Sequence, residues 1–186
     1  MKTREEALAL LNEWVKSDSL RKHSLAVAAA MEGYATKFDV DLDDIDVWWM
    51  TGLLHDMDYE KFPDINVHPI MGCKELRKKE YDERILEAIL GHNSKTGIKR
   101  YSKMAKALFA VDELSGLITA LAKVRPDNFA GMNADSVRKV MKKTDFAAAI
   151  NRQDIEQGIA ELEVNENEHF ELVISSLNNV KEDLGF

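Results

Sequence analysis

An all-α fold, a bundle of about eight or nine helices, is what this chain predicts on three observations. Its 186 residues hold only three prolines and nine glycines. Apolar residues recur at helical spacing between recognisable caps, and no stretch sustains the alternation of a strand bounded by hairpin turns. Thr3 and Glu6 form a capping-box pattern ahead of Ala7, Leu8, Leu11, Trp14 and Val15, which gives a first amphipathic helix. Ser17-Asp18 restarts the chain into a second, running to about position 37, with Leu20, Val27, Met31 and Tyr34 among its apolar positions. Asp43 or Asp44 is placed to cap a third, which ends at or just beyond His55-Asp56. After a polar loop, MDYEKFPDIN, His68-Pro69 starts a fourth with proline at the first helical position. Asp82 begins a fifth that reaches His92, and the loop NSKTGIKRYS follows. A long helix over 104–124 carries Asp112 and stops at Arg125-Pro126. Caps and pattern place three more near 135–143, 151–161 and 166–182.

Composition narrows the class. An apolar fraction of 45% supports a real core, and 31% charged residues suits a solvated surface, so residues 1–186 are expected to form one domain. No apolar run approaches the roughly 20 residues of a membrane span, and the start lacks a signal-peptide core; a cytoplasmic protein is expected. Cys73 is the only cysteine, which excludes an intrachain disulfide and a thiolate metal cluster. A net charge of −8 argues against a nucleic-acid polymer as partner, whereas a small anionic substrate stays compatible if metal ions supply local positive charge.

Four of the five histidines fall in an ordered series with two aspartates: His23, His55-Asp56, His68, His92, Asp112. Imidazole and carboxylate form the mixed donor set that iron, manganese, zinc and nickel accept, and magnesium takes the carboxylates. Six such groups exceed one tetrahedral site and suit two adjacent divalent ions with open positions. Placement matters more than count. The pair and His92 fall at helix ends, where neighbouring side chains can turn to one point, and His68 falls at a helix start. Asp112 sits among Leu108, Phe109, Val111 and Leu114, where a carboxylate needs a partner. His169, in the last helix, stands outside the series, and Trp48 and Trp49 read as packing residues.

The order His, His-Asp, Asp resembles the HD-domain metal-dependent phosphohydrolase superfamily. The resemblance covers roughly residues 18 to 125 and is carried by RKHSLAV, TGLLHDMDYEK, VHPIMGCKEL, EAILGHN and LFAVDELSG. It implies an HD-type helical bundle with its metal-binding core at about 18–125; the helices at about 126–186 are accessory, and whether they cover the site or form a homodimer contact stays open. It further implies His23, His55, Asp56 and Asp112 as ligands of a first metal, Asp56 as bridge, and His68 and His92 as completing a second. The activity implied is hydrolysis of a small phosphorylated substrate, a nucleotide or dinucleotide, by a metal-activated water. Met57-Asp58-Tyr59 stands where many members carry a lysine-bearing stretch, and Lys61 lies two positions beyond that lysine's place. The Gly-Tyr-Pro element of cyclic-di-GMP phosphodiesterases is absent, and the pattern is closer to short stand-alone members, including diadenosine-tetraphosphate hydrolases.

Beyond the ligands, Asp58 and Glu60 are candidates to orient an imidazole or to act as general acid or base. Lys61, Lys95 and Arg100 are candidates for phosphate contacts. Ser115 and Thr119 share a helix face with Asp112 and could leave room for substrate beside it. Two other readings stay open: a di-iron oxygenase with the same ligand order, and a non-catalytic, metal-stabilised ligand-binding module.

Overall fold

A computed structural model describes residues 2–186, and among them it contains nine α-helices, one 3-10 turn and no strand. They are α1 (Arg4–Trp14), α2 (Asp18–Lys37), α3 (Leu42–Leu54), α4 (Ile70–Lys78), α5 (Glu83–His92), α6 (Lys103–Val124), α7 (Ala134–Met141), α8 (Arg152–Leu162) and α9 (Glu166–Asn179), with the 3-10 turn at Ser94–Thr96. Thr3 and Glu6 close the capping box of α1, Ser17 caps α2 and Asp82 caps α5. Two starts differ from expectation. α3 begins at Leu42 after Asp41, and Asp43 and Asp44 lie in its first turn, where carboxylates suit the positive end of the helix dipole. Asp44 is unavailable as a cap because Arg84 grips both its oxygens, at 2.9 and 3.0 Å. α4 begins at Ile70, with Pro69 in the cap position, because a turn closed by Ile70 N–H on the Val67 carbonyl precedes it.

α2 and α6 are the central elements. α3, α6 and α9 pack on α2, and α5, α8 and α9 on α6. The closest crossings run over small residues. A Cβ added at Gly52 of α3 would lie 2.7 Å from Ala28 Cα on α2, and one at Gly158 of α8 would lie 2.6 Å from Ala110 Cα on α6. Such approach leaves no room for a methyl group and sets the helix spacing. The terminal helices join the same core through Ile155, Phe170, Val173 and Leu177, and Trp48 and Trp49 are buried in it. His169 ties α9 to its neighbours: Tyr34 O–H on α2 donates to Nδ1, and Nε2–H donates to the Ala110 carbonyl at 3.1 Å. Burial holds this imidazole's pKa down at about 4, so it is a neutral structural group. No helix among the described residues is long and apolar enough to cross a membrane.

Candidate metal centre

Five helices deliver the six-residue series to one place. His23 comes from α2, His55 caps the end of α3 with Asp56 next, His68 precedes α4, His92 closes α5 and Asp112 lies within α6. Two groups form, His23–His55–Asp112 and Asp56–His68–His92, each with donor atoms within 4.8 Å of one another. In the first, Asp112 Oδ1 lies 3.0 Å from His23 Nε2 and 3.3 Å from His55 Nε2. In the second, Asp56 Oδ1 lies 3.2 Å from His68 Nε2 and 3.4 Å from His92 Nε2. The other oxygen of Asp56, Oδ2, turns to the first group, 3.4 Å from His55 Nε2 and 3.9 Å from His23 Nε2. One carboxylate therefore faces both groups, one oxygen to each.

The hydrogen bonds test whether cations fit here. A carbonyl oxygen only accepts, so His55 must carry its proton on Nδ1 to reach the Gly52 carbonyl at 2.8 Å, and His92 likewise to reach the Ile89 carbonyl at 2.5 Å. His68 Nδ1–H donates to Asp58 at 2.7 Å. Each neutral ring then presents an Nε2 lone pair to the centre. His68 Nε2 and His92 Nε2 face each other at 3.2 Å, and His55 Nε2 is buried with no hydrogen-bond partner. Lone pairs converging on one another need cations between them, and Nδ1 held by carbonyl or carboxylate is how proteins orient imidazole ligands. The residues fit divalent metal ions.

The same crowding shows in the ionisation of the metal-free groups. Burial opposes a charge on His55, but Asp56 and Asp112 outweigh it and hold its pKa well above 6.5. For His68 burial is again the largest influence and is again overridden, by Asp56 and Asp58, which raise it to about 9. Asp56 and Asp112, although burial resists their charge, are held far below the carboxylate range by the facing imidazoles. Protons thus occupy the lone pairs that metal ions would take.

The remaining candidates divide. Asp58 is fully buried, and its two oxygens accept from His68 Nδ1–H and from Gly72 N–H, both at 2.7 Å. It orients His68 and is not on the cleft surface. The Glu60 carboxylate accepts from the backbone N–H groups of Lys16 and Ser17 at 2.9 Å and pins the α1–α2 connection. Lys61 lies over the Trp14 ring, 4.0 Å from its centroid, because that face is the apolar surface its stem can reach. Arg100 makes paired bonds of 2.7 Å to Glu161 and stacks on Phe109, so it is a structural clamp between α6 and α8. The Ser115 and Thr119 hydroxyls are buried in helix packing, away from the cleft. Of the expected phosphate contacts, Lys95 alone lines the cleft of about 520 Å³ that opens on the centre.

That cleft also has walls that sequence reasoning missed: Phe109 and Glu113 on α6, and Ile150, Asn151 and Asp154 at the start of α8. Glu113 could have been noticed as the neighbour of Asp112; burial, then the Asp112 charge, push its carboxyl up to about 7. Asn151 was readable only as a cap, since nothing local says that α8 packs over α6. A family model described as HD domain matches residues 20–124. Comparison with curated proteins gives no match, and comparison with solved structures gives none.

Proposed function

The chain belongs to the HD-domain family, which implies metal-dependent hydrolase-type activity, and from that premise we propose that it is a phosphohydrolase acting on a small phosphorylated molecule, a nucleotide first among the candidates. The observation that carries this reading is Asp56, whose two oxygens face two separate histidine groups. His23, His55, Asp56 and Asp112 would hold one divalent ion, and Asp56, His68 and His92 a second. When bound, such ions polarise phosphoryl oxygens and lower the pKa of a coordinated water. The chain's own residues arrange the rest. Asp58 and the Ile89 carbonyl fix the tautomers of His68 and His92, so both lone pairs stay turned to the centre. Asn93 donates to the Ile65 and His68 carbonyls at 2.9 and 2.7 Å and holds the loop that carries His68 against the end of α5. Lys95 lines the cleft, and its ammonium would meet a phosphoryl oxygen that projects there. With both aspartates ionised and four neutral imidazoles, two divalent ions leave the centre at about +2, which suits a phosphate ester.

The test joins elemental analysis to chromatographic detection of hydrolysis products from a panel of nucleotides, dinucleoside polyphosphates, cyclic dinucleotides and sugar phosphates. Wild-type protein should carry about two metal equivalents, Asp56→Ala should lose both, and His68→Ala or His92→Ala should lose mainly one. Wild-type metal content in Asp56→Ala refutes the bridge. Absence of any hydrolysis product with every restored metal refutes the hydrolase.

A further inference from the structure

The cleft is asymmetric in charge. Among the described residues, and beyond the six-residue centre, Lys95 is the only basic side chain on its lining, which also carries Glu113 of α6 and Asp154 of α8. Among the described residues neither carboxylate is ion-paired. Arg100, whose charge reaches Asp154, is itself held by Glu161. Asp154 accepts one bond, from the Asn151 side chain at 2.8 Å through Oδ2, and among the described residues none falls on Oδ1. His23, Asp56, His68, His92 and Asp112 of the centre line the same cleft as these two acids, so acceptors and a donor set for cations share one cavity. Glu113, which accepts from Asn151 N–H, and Asp154 place carboxyl oxygens without ion pairs in one cleft, where they gain from hydrogen-bond donors and disfavour a further phosphate.

Building on the phosphohydrolase reading, we infer that the cleft takes a phosphomonoester with a single phosphoryl group, whose remainder presents hydroxyl or amine donors to Asp154 and Glu113. Lys95 and the centre hold the phosphate; the α6–α8 wall selects what is attached to it. A volume of about 520 Å³ accommodates a phosphate with one sugar-sized substituent. Additional phosphates would extend toward the acidic wall, so chain polyphosphates bind poorly.

Calorimetric titration of the metal-loaded protein and of its Asp154→Asn variant tests this, with ribose 5-phosphate, phosphoethanolamine, phenyl phosphate and tripolyphosphate as probes. Ribose 5-phosphate, or phosphoethanolamine if the donors are amines, should bind about tenfold tighter than phenyl phosphate, which has no donor, as expected for one bond to a charged acceptor. In Asp154→Asn that advantage should vanish, phenyl phosphate affinity should hold within about twofold, and tripolyphosphate should bind more tightly. Glu113→Gln should move the same way and serves if the first variant does not fold. Equal affinities for the donor-bearing and donor-free probes, or parallel changes across all of them, overturn the inference while phenyl phosphate binding and hydrolysis leave the phosphohydrolase reading intact. Loss of a metal equivalent in Asp154→Asn overturns it by making that residue a ligand. If no phosphate compound binds, both fail.

Discussion

Replacing Asp58 by asparagine exchanges one carboxylate oxygen for an amide NH₂ and should cost both stability and metal. Both Asp58 oxygens accept, one from His68 Nδ1–H and one from Gly72 N–H, and the side chain has no exposed surface. Asparagine has one acceptor and one donor, so it cannot satisfy both. If its oxygen stays with His68, its NH₂ points at the Gly72 N–H and that buried donor is orphaned. If it flips, its NH₂ faces His68 Nδ1, the ring takes the other tautomer, and Nε2–H points at His92 and Asp56. Losing a buried bond to a charged acceptor costs about 2 kcal/mol. For a chain of this size that lowers Tm by roughly 4–8 °C. Removing the group that orients a ligand imidazole typically weakens metal binding by about 10–100-fold, and here the loss should fall on the Asp56–His68–His92 group. Thermal unfolding in chelator reads the first effect, and calorimetric metal titration reads the second. A variant with wild-type Tm and two unaltered metal affinities would refute the tautomer argument.

Gly52→Ala should destabilise by about 3 kcal/mol or prevent folding, because the added Cβ meets the Ala28 and Val27 backbones at 2.7–2.8 Å and backbone cannot step aside; denaturant unfolding measures it, and a loss under 1 kcal/mol would refute the close crossing. Arg100→Ala should cost about 2 kcal/mol by leaving Glu161 half-buried without its partner, yet leave metal content unchanged; a variant of full stability with altered phosphate affinity would return Arg100 to the cleft. His169 is depressed from 6.5 to about 4, so its contribution is complete above 6.5 and is lost as pH falls toward 4, by about 3 kcal/mol in all, because the unfolded chain takes the proton first. His169→Gln should therefore flatten the pH dependence of urea unfolding over that interval, and parallel profiles would show that the buried imidazole is not its source.

Helices were legible because their signals are local. Thr3 with Glu6, Ser17 and Asp82 each announce a start within a few residues, and the structure uses all three. The misplaced starts at α3 and α4 share a cause in side chains committed elsewhere. Asp44 is drawn to Arg84, which lies 40 residues away in the sequence, and the turn ahead of Ile70 displaces Pro69 from the first helical position. Neither contact leaves a trace in the local pattern.

The same division explains the site. Its six central residues were visible because a histidine or aspartate at a helix end, or inside an apolar stretch, is locally anomalous and invites a partner. Basic residues carry no such mark. Lys61, Lys95 and Arg100 look alike in sequence, and only the packing sends one over Trp14, one into the cleft and one to Glu161. Glu60 and Asp58 were equivalent candidates for the same reason. The first found two backbone N–H groups at the surface, and the second was carried inside by Met57, which is fully buried beside it. The cleft's far wall was the least legible part, since it exists only because Gly158 lets α8 lie against Ala110. Ligands that hold a cation are therefore readable from sequence as local exceptions, whereas residues that choose a substrate are products of long-range packing. Asp154 carries no mark in the local sequence, and only the packing of α8 over α6 brings it to the cleft.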